Sequence, residues 1–189
     1  GMVDLVEEGV VTGVEKEVRR NRVVTTFCLG TRRLYDWLED NAVVEVLGVD
    51  FVNDPRVIAR MSRFNSVNAT TEVDLMGQCA SETIGGRYWS SSGGQADFAR
   101  GAMYADEGQA FIVTPSLTRD GRSRIVPSLA SGSVVTTLKN TVDHVVTEHG
   151  VAELRGKALS DRARALIAVA DPSVRDNLTR DARTLGLFL

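Results

Sequence analysis

A loop that ends in two glycines is the part of this sequence best suited to binding an anion or a carbonyl oxygen. Residues 92–98 read Ser-Gly-Gly-Gln-Ala-Asp-Phe, and the apolar spacing from Phe98 to Ala105 predicts a helix that begins directly after the glycines. Such a loop exposes backbone N–H groups at a helix N-terminus, where partial positive charge can hold a phosphate, a carboxylate or a developing oxyanion. The alternative is a glycine turn that only begins a helix, and the loop alone does not decide between the two.

A carboxylate at the end of a β-branched run is the second chemical feature. Residues 144–147 predict a strand, and Glu148 follows it, ahead of His149 and Gly150. In open α/β sheets ligands bind at the carboxyl ends of the strands, so Glu148 is placed to orient a substrate, act as a base or attack a carbonyl. The pattern alone favours a simpler interpretation, in which Glu148 caps a following helix or pairs with Arg155 and His149 is structural.

Three other segments allow both a structural and a functional interpretation. Asn53 lies in a turn before Asp54-Pro55, where its amide can aim at a ligand, although such a turn needs no function. Residues 72–82 interleave acidic and apolar side chains, and the favoured interpretation is the solvated face of a strand. Tyr88 and Trp89 precede the glycine loop; they either line a ligand pocket or, as the pattern favours, belong to the core.

The composition excludes several classes of function. The chain has 189 residues, 43% of them hydrophobic and 25% charged, with a net charge of −3, which predicts one globular domain without a nucleic-acid-binding patch. No apolar run approaches the ~20 residues that cross a membrane, and no signal-peptide pattern occurs. Cys28 and Cys79 are expected to be reduced core thiols, which favours the cytoplasm. Two histidines and no metal motif predict neither a metal site nor a tightly bound cofactor.

The elements that position these residues alternate between strands and helices. Short β-rich runs predict strands over residues 23–29, 43–47, 64–67, 71–75, 110–114, 124–126, 134–137 and 144–147. Helices are predicted after Thr31 as far as Asn41, after Pro55, after the glycine loop, from a cap at Ser160, and from Asp171-Pro172. This order predicts a single α/β domain over residues 1–189, with a mixed central sheet flanked by helices.

Several stretches, taken in order, resemble the C-terminal domain of the acetyl-CoA hydrolase/transferase family, and within it the 4-hydroxybutyrate CoA-transferases. The stretches are Met-Val-Asp-Leu at 2–5, Leu-Tyr-Asp at 34–36, Val-Asn-Asp-Pro at 52–55, Asn-Ser-Val-Asn at 65–68, Glu-Val-Asp-Leu-Met-Gly-Gln at 72–78, Gly-Gly-Gln-Ala-Asp-Phe at 93–98, Ser-Arg-Ile-Val-Pro at 123–127, the Glu148 segment with Leu-Arg-Gly-Lys at 154–157, and Arg162-Ala163. Each motif is weak alone, but their number, order and spacing make the resemblance specific.

The resemblance implies a fold, a substrate class and roles for particular residues. It implies the fold shared by CoA-transferases and ribose-5-phosphate isomerases, with coenzyme A as a substrate that moves between an acyl-CoA and a small carboxylate through a glutamyl-CoA thioester. Gly93 and Gly94 would supply backbone contacts to the acyl-CoA, with Gln95 in the same CoA-binding loop. Asn53 and Glu148 match polar residues that line the active site and support the nucleophile. Arg119 matches less closely and would contact the CoA phosphates.

The resemblance also implies that part of the active site lies outside this chain. In the family the nucleophilic glutamate precedes the segment that matches residues 1–5, so the chain is expected to be the C-terminal half of an enzyme, inactive alone. An apolar surface bared in this way predicts a homo-oligomer, unless the chain pairs with an N-terminal half. The alternatives are a non-catalytic CoA-binding or partner subunit and an acyl-CoA hydrolase, with Glu148 as a substitute nucleophile the least favoured.

Overall fold

The computed structural model describes residues 1–188 and has an α/β architecture. Its strands are β1 (Val23–Thr25), β2 (Val44–Val46), β3 (Asn65–Ala69), β4 (Glu72–Asp74), β5 (Cys79–Ala80), β6 (Thr83–Ile84), β7 (Arg87–Tyr88), β8 (Gln109–Val113), β9 (Ile125–Val126), β10 (His144–Thr147) and β11 (Gly150–Glu153). Its helices are α1 (Met2–Glu7), α2 (Arg32–Leu38), α3 (Val49–Val52), α4 (Pro55–Ile58), α5 (Gln95–Tyr104), α6 (Leu159–Val169) and α7 (Arg175–Thr184), with a 3-10 turn at Pro172–Val174.

A four-stranded mixed sheet forms the centre of the chain, in the order β11-β10-β8-β3. The strands β3, β8 and β10 are parallel, and β11 pairs antiparallel to β10. Three smaller sheets surround it: the parallel pair β1-β2, the three strands β5-β4-β9 and the hairpin β6-β7. The predicted α/β class with a mixed central sheet is therefore confirmed.

The two faces of the central sheet differ in what covers them. One face is packed against α5 and α6, and its side chains, which include Ile112 and Val145, are fully buried. The strand register places Val67 and Val151 on the opposite face, where they are 68% and 54% exposed. Side chains alternate between the faces of a sheet, so the second face is an apolar surface with no layer of helices over it in residues 1–188.

Buried Arg162 ties the interior together. Its guanidinium donates to three backbone carbonyls, with Nε 2.8 Å from Met76 O, Nη1 2.8 Å from Leu154 O and Nη2 2.6 Å from Lys139 O. The side chain therefore joins α6 to three separate loops, and burial lowers the pKa of the guanidinium below its ordinary value. Cys79 lies in the same interior as a free thiol whose pKa is raised by burial.

Several predicted elements differ from the observed ones. The run over residues 23–29 forms a strand only as far as Thr25, because Phe27 and Leu29 turn outward into solvent. Residues 134–137 form no regular strand and make one bridge, Thr137 with Cys79. Ser160 lies inside α6, whose N-cap is Ala158. Within residues 1–188 no helix is long and apolar enough to cross a bilayer.

Candidate functional site

The glycine loop and Asn53 meet at the N-terminus of α5. Gly94 is the N-cap of this ten-residue helix, and no side chain caps the first turn. A Cβ at Gly94 would overlap the Asn53 Nδ2 atom, and it would lie 3.1 Å from two carbons of the Phe98 ring. Asn53 reaches this position because it is the C-cap residue of α3. The next residue, Asp54, caps α4, and its side chain accepts a hydrogen bond from the Arg56 N–H. The first turn of α5 thus has no capping side chain, and the Asn53 amide lies beside Gly94 at the start of the helix.

The side chain of Gln95 anchors the glycine loop to the interior of the protein. It is only 6% exposed, and both of its polar ends are used. Its Oε1 accepts from Ser81 Oγ at 2.9 Å, and its Nε2 donates to Thr137 Oγ1 at 3.0 Å. Ser81 Oγ also lies 3.0 Å from the Oγ1 atom of Thr70, and Thr70 is the residue directly after β3. The Gln95 side chain therefore fixes the glycine loop over the carboxyl end of the sheet, and CoA contacts from this residue would have to be made by its backbone.

The charge at the start of α5 favours a neutral or singly charged ligand group. Asp97 lies in the first turn, where its carboxylate already interacts with the positive end of the helix. A phosphate dianion placed there would be repelled by Asp97, whereas a thioester carbonyl or its oxyanion needs only one or two hydrogen bonds. The geometry of the loop suits acyl-group binding better than phosphate binding.

Glu148 lies at the same edge of the sheet, directly after β10. Its carboxylate accepts two hydrogen bonds from Ser116, from the N–H at 2.9 Å and from Oγ at 2.6 Å. Ser116 follows the neighbouring strand β8 and is fully buried. These bonds, above all the one from the hydroxyl, hold the pKa of Glu148 below its ordinary value, so the side chain is a fixed carboxylate at neutral pH.

The structural alternatives for Glu148 are wrong. No helix follows it, because Glu148 and His149 form the two-residue connection of the β10–β11 hairpin. Arg155 pairs instead with buried Asp143, with Nη2 2.9 Å from Oδ2. His149 lies between carboxylates, with Nε2 3.8 Å from Glu148 Oε1 and 3.6 Å from Asp171 Oδ2, so it joins the hairpin to the segment after α6.

Glu148 and the glycine loop lie at the same end of the central sheet, beside strands that β8 separates. Glu148 follows β10 and the glycine loop lies over the end of β3, while β8 runs between these strands. Because neighbouring strands are ~4.8 Å apart, the two strand ends are about 10 Å apart.

Other residues singled out in the sequence have different surroundings. Arg119 is exposed in the loop after β8, so its predicted contact with CoA phosphates stays a prediction. The core interpretation of Tyr88 and Trp89 is wrong, since these side chains are 72% and 79% exposed beside the glycine loop. The solvated-face interpretation of residues 72–82 is also wrong.

The acidic segment 72–82 is instead a set of internal hydrogen-bond acceptors. Asp74 is 1% exposed and accepts from the backbone N–H groups of Met76 and Gln78 at 3.0 and 2.9 Å. The Gln78 amide also donates to Asp74 Oδ2 at 2.6 Å. Glu72 accepts from Ala130 N at 3.0 Å, and Glu82 accepts from Thr136 Oγ1 at 3.0 Å.

Sequence reasoning missed Ser116 and the hydroxyl pair Ser81 and Thr137. Ser116 lies two residues after the predicted strand over residues 110–114, much as Glu148 directly follows its own predicted strand, so its position was a usable signal. Ser81 and Thr137 meet Gln95 only through the tertiary fold. Among residues 1–188, no three His, Cys, Asp or Glu side chains are grouped so that they could hold a metal ion.

Ser116 is expected to control the charge of Glu148. Replacing it with alanine removes the hydroxyl donor, so we expect the pKa of Glu148 to rise toward 4.5. A carboxyl group whose pKa is lowered in the folded chain stabilises the fold at pH values above its ordinary pKa. This stabilisation is lost as the pH falls through the lowered pKa. Carboxyl groups titrate between about pH 5 and pH 3. Over this range the free energy of unfolding of the Ser116→Ala chain should therefore fall less than that of the parent. An NMR titration of the Glu148 side-chain carbon checks the shift, and an unchanged pKa would contradict it.

Comparison with known proteins identifies relatives along nearly the whole chain. The acetyl-CoA hydrolase/transferase C-terminal domain matches residues 30–182. The succinyl-CoA:cyclohexane-1-carboxylate CoA transferase of Geobacter metallireducens is 48% identical over 98% of this chain and 43% of its own length. The 4-hydroxybutyrate coenzyme A transferase of Clostridium kluyveri is 46% identical over 96% of this chain and 42% of its own length.

A solved structure agrees with these relatives. The crystal structure of a 4-hydroxybutyrate CoA-transferase from Porphyromonas gingivalis superposes with a TM-score of 0.83 at 38% identity, covering 97% of this chain and 43% of that one. The expected CoA-transferase fold is thus confirmed. The chain spans a little over two fifths of the length of each of these three proteins.

Proposed function

The chain belongs to the acetyl-CoA hydrolase/transferase family, and on that premise we propose that it forms the C-terminal half of a CoA-transferase. The reaction moves coenzyme A between an acyl-CoA and a small carboxylate such as acetate, butyrate, 4-hydroxybutyrate or succinate. The observation that supports this most is the contact of Asn53 with Gly94 at the uncapped start of α5, at the same end of the central sheet as Glu148. The two relatives are named for different acids, so similarity alone does not select the acceptor.

The proposed chemistry divides one exchange into steps that each conserve charge. A glutamate from outside residues 1–189 attacks the thioester carbonyl and expels the CoA thiolate, which leaves a mixed anhydride. The thiolate then attacks the glutamyl carbonyl and releases the first carboxylate, forming a glutamyl-CoA thioester. A second carboxylate reverses these two steps and leaves as the new acyl-CoA.

The residues of this chain have supporting roles in that scheme. Each carbonyl attack places negative charge on an oxygen, and the first-turn N–H groups after Gly94, with the Asn53 amide, are the proposed donors to it. Glu148, held as a carboxylate by Ser116, orients the acyl group or the nucleophile. Coenzyme A is thus a substrate in this proposal, and Arg119 is the proposed contact for its phosphates.

Acyl exchange tests the proposal directly. The isolated chain is incubated with butyryl-CoA and labelled acetate, and the CoA esters are analysed by mass spectrometry. We expect no exchange alone, and exchange when the chain is co-produced with the N-terminal portion of the Clostridium kluyveri relative that it does not match. Equal exchange by the isolated chain would contradict this division of the site and make Glu148 the first residue to mutate.

The open face of the central sheet also bears on the oligomeric state. Because Val67 and Val151 lie on an exposed apolar surface, we propose that the isolated chain self-associates when no N-terminal portion is present. Light scattering at micromolar concentration checks this, and a monomer would contradict it.

A further inference from the structure

A buried polar network holds the residue with which α5 begins. Gln95 is the first residue of this helix, directly after the N-cap Gly94. Its side chain is buried, and hydroxyl groups bond to both ends of its amide, Ser81 Oγ to Oε1 and Thr137 Oγ1 to Nε2. A fixed side chain and one of the first-turn N–H groups therefore belong to the same residue, at the point where the proposed oxyanion site begins.

The residues around Gln95 provide no comparable anchor for the first turn. Residues 87–93 are all exposed, and a Cβ at Gly93 would meet no atom within 4 Å. The other fully buried side chains of α5, Ala99 and Ala102, are methyl groups, whose packing is not directional. Hydrogen bonds require a particular direction as well as a distance, so the orientation of the first turn depends on the bonds of Gln95.

The two hydroxyl partners of Gln95 belong to one hydrogen-bonded unit. Ser81 directly follows β5, and Thr137 pairs with Cys79 of the same strand in an antiparallel bridge. Cys79 N donates to Thr137 O at 3.1 Å, and Ser81 N donates to Thr136 Oγ1 at 2.9 Å. Both hydroxyl groups are thus held against one buried strand, so their positions relative to each other are fixed before Gln95 bonds to them.

Thr70 joins this unit to the central sheet. It is the residue directly after β3, and its Oγ1 donates to Ala80 O at 2.9 Å and lies 3.0 Å from Ser81 Oγ. A continuous set of polar contacts therefore runs from the carboxyl end of the central sheet to the first residue of α5. Because Glu148 lies at this end of the sheet, the network fixes the start of α5 relative to the carboxylate.

We propose that Thr137 and Ser81 are positioning residues for acyl transfer. They act through the Gln95 side chain, which orients the first-turn N–H groups of α5 toward the oxygen that becomes negative in each carbonyl attack. Thr137 is fully buried, so it affects the reaction only through the groups that it contacts. The inference rests on the proposed function, because it assigns both hydroxyl groups to that reaction.

Two other roles for the network predict different kinetics. If the Gln95 side chain bound coenzyme A directly, it would give up both buried bonds, and loss of the Thr137 hydroxyl would change KM more than kcat. If the hydroxyl only supported the fold, its loss would lower stability and leave the kinetics of the folded complex unchanged. Donors that act in the transition state differ from both, because their displacement lowers kcat with little change in KM.

Substitution of Thr137 tests the inference on the chain co-produced with the N-terminal portion of the Clostridium kluyveri relative. Thr137→Val keeps a similar shape but removes the hydroxyl, so Gln95 Nε2 loses its acceptor. We expect the kcat of acyl exchange to fall about tenfold or more, while the KM values for butyryl-CoA and acetate stay within about twofold of the parent values. Thr137→Ser retains a hydroxyl and should keep kcat within about threefold of the parent.

Thr141→Val is the matched control for the loss of a buried hydroxyl. Thr141 is also buried, and its Oγ1 donates to Leu138 O at 3.0 Å, but it precedes β10 and so lies at the other end of this strand from Glu148. Its kcat should stay within about twofold of the parent, and urea denaturation compares the stability that the two valine variants lose. Ser81→Ala removes the partner at the other end of the Gln95 amide and should lower kcat as Thr137→Val does, which provides a second test if that variant assembles poorly.

The outcomes distinguish a failure of this inference from a failure of the proposed function. If the parent complex is active and Thr137→Val keeps its kcat, or raises KM alone, the positioning role is overturned and the function stands. The same kcat loss in Thr137→Val and Thr141→Val would also overturn the positioning role, because it would indicate a general loss of structure. A parent complex that exchanges no acyl groups would contradict the function and, with it, the inference.

Discussion

Replacing Arg162 with methionine is expected to lower the free energy of unfolding by about 3–5 kcal/mol. Methionine keeps most of the length of the side chain but donates no hydrogen bond, so Met76 O and Lys139 O lose their donor and Leu154 O keeps only the Lys157 N–H at 3.3 Å. Each buried carbonyl left without a partner costs about 1–3 kcal/mol. The chain is expected to unfold at a much lower denaturant concentration and to express poorly.

A matched variant isolates the effect of burial. Arg164 lies on the same helix and is exposed, with one ion pair to Asp161, so Arg164→Met should cost about 1 kcal/mol or less. Arg162→Lys should fall in between, because an ammonium cannot reach three carbonyls in the geometry of a guanidinium. Urea denaturation of the three variants is the measurement. A cost for Arg162→Met no greater than that for Arg164→Met would contradict the structural role.

Sequence patterns predicted best those elements whose structure is determined by residues adjacent in the chain. The run at residues 144–147 is β-branched, and α5 begins where the glycines end, so propensity and turn chemistry both agree with the fold there. Asn53 and Gly94 lie 41 positions apart, yet the turn at Asp54-Pro55 and the start of α5 each fix one of them on its own element. These two residues therefore came out of the sequence as separate candidates and meet in the structure.

The misassigned residues depend on contacts that are distant along the chain. Asp74 reads as a solvated strand residue because alternation shows which face is polar but not what covers it. The β10–β11 hairpin was missed because a carboxylate and a histidine, rather than a residue typical of tight turns, occupy its connection. Arg162 carries no pattern that distinguishes it from a surface arginine, since its three carbonyl partners come from loops elsewhere in the sequence.

Adding one methyl group at Gly94 is expected to lower acyl exchange by the complex with the N-terminal portion about a hundredfold or more. The backbone of Gly94, at φ −96° and ψ 4°, is open to alanine, so the effect is steric and local. The new Cβ overlaps Asn53 Nδ2 and crowds the Phe98 ring. The amide and the first-turn N–H groups would then no longer converge on one oxygen.

The stability of the Gly94→Ala chain should change far less than its activity. Crowding of this kind costs about 1–3 kcal/mol, so the chain should remain folded while exchange is nearly lost. Gly156→Asn is the control: Gly156 has a positive φ of 73° and no atom near its Cβ position, and asparagine tolerates that backbone. Gly156 lies after β11, at the other end of the strands from Glu148. The rate of acyl exchange by the Gly156→Asn complex should therefore stay within about twofold of the parent rate.

A double substitution distinguishes a shared site from two independent contributions. If Asn53 and Gly94 act on the same oxygen, Asn53→Ala alone lowers exchange, and adding it to Gly94→Ala lowers exchange little further, because the amide is already displaced. If the two residues act independently, the losses multiply. Multiplying losses, or a Gly94→Ala complex with exchange near the parent rate, would contradict an oxyanion site at the start of α5. A small extra loss would assign both residues to the stabilisation of one transition state.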